Sequence, residues 1–339
     1  MNPTLKDLLS PRATIIQVTR RASFEKRIVE FNDAKYVLYS FPNRQLARRF
    51  TQILNNRDAN TGLQRIAASS TSKLPGWLGS NWVALHYETG EQIPNKNIDP
   101  AIFSSLGQAL ARLHRLRNNT RAHLLIPPWH DVSGAYSSLM QTVEPAQAKW
   151  LEDSQQRLGK ITEFSLTHGD LHPKNIIVTP SVQAVLIDYE FLAYDLAGIE
   201  LGTLLLRPFC RTEKNRTNLL QAYLANCDEI TCQLWQTHWP DFLVAAAVRI
   251  SAQRDRRHRI ISQRHKRLSL FGKLPLPQSF QARITSQQST QAETIRRTAD
   301  GSKLHLEIAS KLVSLICEGG VSDSSTLVTE CFRKPTTKN

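Results

Sequence analysis

The sequence predicts an α+β fold of two lobes, a small antiparallel β lobe followed by a larger, mostly helical lobe. Three observations support this prediction. Short β-branched runs separated by turn residues occupy positions 14–41, as is typical of antiparallel strands. Apolar residues recur at intervals of three and four from 99 to 116, which indicates a helix. A brief two-strand pattern with acidic residues at its open end follows at 165–190.

Length and composition favour a soluble globular protein. The chain has 339 residues, of which 41% are hydrophobic and 21% are charged, and it is long enough for two lobes with a core. No apolar run reaches the roughly 18 residues that indicate a transmembrane helix, and the first residues lack the apolar region of a secretory signal. The five cysteines include no Cys-x-x-Cys pair. We therefore expect reduced thiols, no Cys/His metal site and a cytoplasmic location.

The formal net charge of +14 is large and unevenly distributed. Nine basic residues and one acidic residue lie between positions 245 and 275. Such a segment attracts polyanions, so we consider a polyanion contact through Arg249–Lys273. The alternative is an ordinary solvated basic helix. No aromatic side chains alternate with the arginines, as a base-stacking surface would require.

The small lobe begins with three predicted strands. They are expected at Thr14–Thr19, Arg27–Phe31 and Tyr36–Phe41, with Asn32-Asp33 as the turn between the second and the third. A helix over Arg44–Leu54 follows. This order predicts an antiparallel sheet with a helix packed beside it.

The chain then passes from the small lobe into helices. A further strand is expected at Asn81–Glu88. The next helix begins at Asp99-Pro100, because Asp is a favourable N-cap and Pro fits the first turn. Residues 131–163 form a predicted helical pair in which Trp150 and Leu158 are core candidates.

The remaining chain is predicted to be mostly helical. Helices are expected at 215–225, 232–239 and 239–259. The prolines Pro275 and Pro277, with a Ser/Gln/Thr-rich run up to Thr290, favour a linker, and apolar spacing predicts a helix at Leu304–Ile316. We therefore predict three segments: a small lobe over 1–88, a large lobe over 89–273 with a hinge near 86–92, and a linker, C-terminal helix and loose tail over 274–339.

The polar residues around the brief hairpin fit the needs of phosphoryl transfer. The two apolar runs at 176–178 and 185–187 are separated by turn residues. Asp170 and Asn175 precede this hairpin, and Asp188 follows it. Phosphoryl transfer depends mainly on positioning and on charge compensation, and magnesium prefers carboxylate and amide oxygens. The Asp-x4-Asn spacing, with a second Asp one strand later, is typical of a kinase catalytic loop.

The same residues resemble a known family. The segments His168–Asn175 and Ile187–Glu190 are similar to those of the aminoglycoside phosphotransferase and choline kinase family, including its thiamine-kinase-like members. The resemblance implies a two-lobed protein-kinase-like fold and an ATP- and Mg²⁺-dependent transfer to a small-molecule hydroxyl. It assigns the following roles: Asp170 as the catalytic base or orienting group, His168 as a brace of the loop, Asn175 and Asp188 as magnesium ligands, and Glu190 as a contact of the acceptor or of a second metal ion.

Two further segments extend the resemblance. The sequence from Glu88 to Ile93 is similar to the family's hinge, so backbone groups near Tyr87 and Glu88 would face the adenine. The segment Leu106–His114 also matches a family pattern, and we expect His114 to be a core or capping residue. Glu200 stands where the family usually has an acid, which we expect to anchor the catalytic loop.

The small lobe departs from the family pattern. Its third strand has Tyr39 where the family has a basic residue that holds the nucleotide phosphates, and the next helix has no partner Glu. Three cations are left open as a replacement: Lys35, on the same strand face as Tyr39, and the helix residues Arg48 and Arg49. The predicted loop over the nucleotide, 20–24, contains no glycine.

The sequence is therefore compatible with two functions. The first is a kinase acting on a small molecule, favoured by the joint presence of Asp170, Asn175 and Asp188. The second is a kinase-like nucleotide-binding or scaffolding module with weak or no catalysis, motivated by Tyr39. Between 207 and 273 there are thirteen basic and five acidic residues, which disfavours a polycationic antibiotic as acceptor. The acceptor, the choice between ATP and GTP and the oligomeric state stay open.

Overall fold

The structure of the chain is a computed structural model. It describes these residues: 4–20, 25–54, 66–69, 81–93, 98–123, 132–210, 212–271 and 278–318. The chain divides into two compact units, one formed by 1–128 with 161–237 and the other by 129–160 with 238–339. An antiparallel sheet followed by mostly helical structure confirms the predicted α+β, protein-kinase-like fold. The expected loop at 21–24 and the tail after 318 lie outside the described residues.

A five-stranded antiparallel sheet opens the first unit, in the order β1-β2-β3-β5-β4. Its strands are β1 (Thr14–Arg20), β2 (Glu25–Phe31), β3 (Ala34–Ser40), β4 (Ile66–Ser69) and β5 (Trp82–His86). The turn residues Asn32 and Asp33 both have positive φ, 50° and 60°, as a two-residue hairpin turn requires. This turn fixes the register of β2 on β3, in which Lys26 lies opposite Tyr39. The first three predicted strands are confirmed to within two residues.

Two helices accompany this sheet. The short helix α1 (Leu5–Leu8) packs its two leucines on the sheet beside Val29, Leu38 and Trp82. Helix α2 (Arg44–Leu54) buries Phe50 and Leu54. Since α2 matches the predicted helix residue for residue, the helix prediction at 44–54 is confirmed.

The rest of the first unit carries two smaller sheets and helices α3, α6 and α7. Helix α3 (Pro100–His114) begins as predicted, since Asp99 Oδ1 accepts a hydrogen bond of 2.9 Å from the Ala101 N–H. The sheets have the orders β11-β10-β6 and β7-β9-β12-β8. Their elements, with the two later helices, are β6 (Glu91–Gln92), β7 (Arg117–Asn118), β8 (Ala122–His123), β9 (Phe164–Thr167), β10 (Ile176–Val178), β11 (Ala184–Leu186), β12 (Ala193–Asp195), α6 (Ala197–Leu205) and α7 (Glu213–Leu224).

The second unit is helical in the residues described. It contains α4 (Val132–Met140), α5 (Pro145–Gly159), most of α8 (Glu229–Phe271) and α9 (Gln278–Cys317). Helix α5 is tied to α8 by Arg157, whose guanidinium donates to both carboxylate oxygens of buried Asp241 at 3.1 and 2.7 Å. Trp150 and Leu158 are only half-buried, whereas Leu151 is buried. The two core candidates on α5 are therefore only partly buried, and Leu151 is the core residue that the sequence reasoning missed.

Two boundary predictions are also wrong. The helices expected at 232–239 and 239–259 are one helix, which continues through Pro240. An internal proline costs about 3 kcal/mol, but the buried apolar run that follows, Phe242–Val248, stabilises the continuous helix. The run from Gln278 to Thr290 is helical rather than a linker. It contains neither Gly nor Pro, and its residues cost at most about 0.7 kcal/mol each in a helix.

Most of the basic segment Arg249–Lys273 lies along α8, up to Phe271. Its one acidic residue, Asp255, pairs with Arg259 at 2.9 Å. No helix among the described residues is long and apolar enough to cross a membrane.

Candidate active site

The hairpin of β10 and β11 brings the predicted magnesium ligands to one end. Ile176 pairs with Leu186, and the Ile187 N–H donates to the Asn175 carbonyl oxygen at 3.0 Å. Asn175 therefore lies immediately before the first strand of the hairpin. It is bonded to Ile187, which immediately precedes Asp188. A local two-strand unit is enough to bring these two residues together.

Asn175 also fixes the loop that carries Asp170. Its Nδ2 donates to the Asp170 carbonyl oxygen at 2.9 Å, and its backbone N–H donates to the His172 carbonyl at 2.8 Å. Because the amide nitrogen is used inside the loop, the amide oxygen is the atom of Asn175 that suits a cation. The Asp170 side chain is 33% exposed, so a bound molecule has access to this carboxylate.

A buried carboxylate, Glu200, holds the start of this loop. Glu200 Oε2 accepts from the His168 N–H at 2.9 Å, and Oε1 accepts from the Gly169 N–H at 2.7 Å. His114 Nε2 lies 3.0 Å from Oε2, and His114 Nδ1 lies 2.7 Å from the Tyr223 hydroxyl. His114 Nε2 donates to Glu200 Oε2, because a carboxylate oxygen accepts. Glu200 and His114 have the anchoring and core positions that the sequence predicts.

The charge of Glu200 is stabilised despite its burial. Burial by itself raises the pKa of this carboxyl. The hydrogen bonds from His114 and from the His168 backbone, together with the electrostatic effect of both histidines, lower the pKa by a larger amount. The net result is a pKa below the usual range, so Glu200 is ionised and acts as an acceptor for all three donors.

Gly169 is required by the backbone of the loop. Its φ is +81°, and a Cβ at this position would lie 2.2 Å from the Phe191 carbonyl oxygen. A side chain is excluded for both reasons. The glycine between His168 and Asp170 therefore lets the loop pass close to the turn that follows Asp188.

His168 links the loop to the second acidic residue. Its imidazole is buried, and its Nε2 donates to the Ile187 carbonyl at 2.7 Å. This contact joins the residue before Gly169 to the residue before Asp188. The geometry suits the bracing role that the resemblance implies.

The side chain of Asp188 connects the β10–β11 hairpin with the five-stranded sheet. It has a left-handed backbone, with φ of 69°, and its Oδ1 lies 2.8 Å from Lys26 Nζ and 3.4 Å from the Tyr39 hydroxyl. Neither side chain is fully buried, at 19% exposed for Lys26 and 27% for Asp188. The sequence reasoning missed Lys26. The register of the Asn32-Asp33 turn was the signal for it, since this turn places position 26 opposite position 39.

Aromatic packing occupies the position where the family has a Lys–Glu ion pair. Tyr39 is buried, and its ring lies 6.0 Å from the ring of Phe50 on α2, which in turn lies 6.1 Å from Tyr189. Burial, followed by the charges of Asp188 and Glu190, raises the pKa of Tyr39 well above its usual value. Tyr39 therefore remains a neutral phenol at Asp188.

The cations considered from the sequence lie elsewhere. Lys35 is exposed at the start of β3, four residues before Tyr39, or about 13 Å along a strand. Arg48 is exposed on α2, and the Arg49 guanidinium lies 5.4 Å from the ring centroid of Tyr194. The structure does not bring Lys35, Arg48 or Arg49 to Asp188.

The predicted hinge follows β5. The Tyr87 N–H donates to the Lys35 carbonyl at 3.1 Å, and the Tyr87 side chain is exposed. Glu88 is half-buried. Two residues later, Gly90 has φ of +153°, and a Cβ there would lie 2.3 Å from the Val178 carbonyl oxygen. The hinge backbone at Gly90 thus packs directly on strand β10.

Glu190 is more deeply placed than a freely exposed substrate contact. It lies in the 3₁₀ turn Tyr189–Phe191 after Asp188 and is buried. Its charge contributes, after burial and the charge of Asp188, to the raised pKa of Tyr39.

The donor set fits magnesium held jointly with a nucleotide. Among the described residues, no group of three or more His, Cys, Asp or Glu side chains is arranged to hold a metal ion. Mg²⁺ in nucleotide sites is usually held by one or two carboxylates together with phosphate oxygens. Asp188 and the amide oxygen of Asn175 fit such a shared site.

Fold and site together define a kinase-like phosphotransferase. The model of the phosphotransferase enzyme family (APH) matches residues 14–236 of the chain. The chain belongs to this family. Among curated protein sequences, no significant match is found.

The chain is also similar to several solved structures. An ethanolamine kinase from Plasmodium vivax is 14% identical, with 86% of each chain covered and a TM-score of 0.47. A putative aminoglycoside phosphotransferase from Ralstonia eutropha is 14% identical, with 89% of this chain and 94% of that chain covered and a TM-score of 0.47. The choline kinase LicA from Streptococcus pneumoniae is 13% identical, with 88% and 96% covered and a TM-score of 0.41.

Proposed function

We propose that the chain transfers the γ-phosphoryl group of ATP, in the presence of Mg²⁺, to a hydroxyl group of a small molecule. The observation that carries the proposal is the placement of Asp170, Asn175 and Asp188 by one hairpin and its loop. Asn175 bonds to the backbone of Asp170 on one side and to that of Ile187 on the other. This arrangement supports a phosphotransferase, the class to which the family belongs.

The chemistry requires little beyond positioning. The acceptor oxygen forms a bond to the γ-phosphorus, the bond from that phosphorus to the bridging oxygen breaks, and ADP leaves with the electron pair. Asp170 would orient the hydroxyl and accept its proton, because its carboxylate is accessible and its backbone is fixed by Asn175. Mg²⁺ supplies compensation of the phosphate charge, and Asp188 and Asn175 would hold it.

The hinge would bind the adenine through its backbone. The Tyr87 N–H is already used by the Lys35 carbonyl. This leaves the Tyr87 carbonyl and the Glu88 backbone as the groups that would face the base. Glu190 would act on the acceptor through its charge.

One observation favours a second candidate, a nucleotide-binding module without transfer. The aromatic packing of Tyr39 and Phe50 replaces a charged pair of the family pattern. Loss of one electrostatic donor commonly costs roughly 10²–10³ in rate. The two candidates differ in one measurable property, because only the kinase consumes ATP when an acceptor is present.

The test is a transfer screen over alcohols, sugars and vitamins with ATP and Mg²⁺, followed by two variants on the acceptor found. Asp170→Ala is expected to lower turnover by about 10²–10⁴-fold, the usual contribution of a general base, with unchanged nucleotide affinity. Asp188→Ala is expected to abolish the Mg²⁺ dependence of ATP binding in calorimetry. Binding without transfer to any acceptor would favour the second candidate. Near-parental turnover of Asp170→Ala would contradict the assigned role.

A further inference from the structure

Lys26 occupies a position from which it can act on the nucleotide. It lies opposite Tyr39 in the β2–β3 register, and opposed residues of antiparallel strands have their side chains on the same face of the sheet. Its Nζ lies 2.8 Å from Asp188 Oδ1 and 5.8 Å from the centroid of the Tyr39 ring. Lys26 thus reaches across Tyr39 to the carboxylate that would hold magnesium.

The site has a charge requirement that Tyr39 does not meet. A nucleotide triphosphate carries several negative charges, and kinases compensate them with a small-lobe Lys as well as with metal. Tyr39 is neutral and packed against Phe50. Lys26, by contrast, is a cation already in contact with Asp188. The long flexible side chain of a lysine suits a point contact with phosphate.

We propose that Lys26, supplied by the second strand, is the residue that binds the nucleotide phosphates in place of a lysine at position 39. The contact with Asp188 places the Lys26 ammonium group beside the expected phosphate site. This inference rests on the proposed function, since it assumes that a nucleotide binds at Asp188. It adds a phosphate-positioning residue that the sequence pattern does not identify.

The first test compares ligands that differ only in their phosphates. Lys26→Met keeps the apolar stem and removes the charge. We expect its affinity for ATP and for ADP, measured by calorimetry, to fall roughly tenfold to a hundredfold, whereas its affinity for adenosine stays at the parental value. The KM for ATP should rise while the KM for the acceptor does not. Lys26→Arg, which keeps the charge, should retain ATP affinity to within a few-fold, and exposed Lys6→Met is the matched control.

The second test moves the charge across the strand pair. Because positions 26 and 39 are opposed, the double variant Lys26→Met/Tyr39→Lys should recover part of the lost ATP affinity. Circular dichroism and thermal unfolding confirm that each variant is folded. Recovery would be difficult to explain by a structural role of Lys26 alone.

The outcomes separate the two proposals. Parental ATP affinity in folded Lys26→Met overturns the role of Lys26 and leaves the proposed function standing. An equal loss for ATP and adenosine also overturns it, because it indicates a structural role. A loss in Lys35→Met instead of Lys26→Met assigns the phosphate contact to Lys35. If the parent protein binds neither ATP nor ADP, the proposed function itself fails, and the role of Lys26 fails with it.

Discussion

Replacement of Glu200 by alanine tests how the catalytic loop is held. Glu200 is 3% exposed and accepts hydrogen bonds from three groups: the His168 N–H, the Gly169 N–H and His114 Nε2. Alanine removes all three acceptor contacts at once and leaves the donors inside the protein. It also removes the ionised group that orients the His114 ring. We expect loss of both stability and turnover.

The expected loss of stability follows from the three buried donors that would have no acceptor. Each buried donor left without a partner costs about 1–3 kcal/mol, which bounds the total at roughly 3–9 kcal/mol. Removal of one partner from a buried charged pair usually costs about 3–5 kcal/mol. We therefore expect a loss of about 3–5 kcal/mol in the free energy of unfolding. At roughly 2–4 °C per kcal/mol for a unit of this size, the midpoint should fall by about 6–20 °C.

The assay combines urea unfolding and thermal unfolding with turnover on the acceptor found in the screen. Glu200→Gln keeps one acceptor oxygen and should fall between the parent and Glu200→Ala. The control is Glu152→Gln on α5, where an exposed pair with Lys149 at 3.7 Å is worth less than about 1 kcal/mol. A Glu200→Ala variant with the parental unfolding midpoint and turnover would refute the anchoring role. Loss of stability with unchanged turnover would refute only the link to the loop.

Three further predictions concern the same loop. Gly169→Ala should reduce turnover strongly and lower the free energy of unfolding by about 1–3 kcal/mol or more, because its Cβ would clash with the Phe191 carbonyl oxygen. Measurements of turnover and of thermal unfolding test this prediction. The pKa of Glu200 is lowered, so its contribution to stability is present above about pH 4.5 and lost as the pH falls through the lower folded-state value. Glu200→Gln should therefore show a smaller loss of unfolding free energy on acidification below pH 4.5 or so. Burial lowers the pKa of His172, despite the opposing charge of Asp170. Stability should then decrease as the pH falls below about 6.5, and His172→Gln should reduce that slope in urea titrations between about pH 7 and 5; an unchanged slope would contradict it.

The β10–β11 hairpin was predictable from the sequence because its geometry is local. Two short apolar runs and a turn place Asn175 and Asp188 at one end without help from the rest of the chain. Asp170 and Asn175 are likewise only five residues apart, and the Asn175 side chain donates a hydrogen bond to the Asp170 carbonyl oxygen. Such short-range geometry can be predicted from the sequence, because few arrangements of neighbouring residues satisfy it.

The position of Lys26 was partly encoded and was missed. A two-residue turn at Asn32-Asp33 determines the whole register, so Lys26 follows from Tyr39 by counting. The contact with Asp188 is another matter, because it joins residues far apart in the chain. Only the packed sheet shows that Lys26, rather than Lys35 or Arg48, reaches this carboxylate.

The helical boundaries show where local signals mislead. Pro240 is unfavourable inside a helix, and Pro275, Pro277 and the Ser/Gln/Thr-rich run to Thr290 are typical of a linker, so the sequence pattern predicts a break at each place. Pro240 and the run from Gln278 to Thr290 are helical in the structure. For α8, buried packing of the following apolar run offsets the local cost of the proline. Propensity is a weak preference that tertiary contacts can exceed.

By itself, the sequence determined the two-lobed fold, the family and the acidic residues of the loop, because strand periodicity and motif spacing are properties of neighbouring residues. Tertiary structure alone decided which donors Glu200 accepts from as it holds the loop, and which cation compensates the charge of Asp188. The chain from Tyr223 through His114 to Glu200 joins side chains 109 and 86 positions apart, and no local pattern specifies such partners. They meet because buried polar groups must be paired when helices α3, α6 and α7 close around the loop.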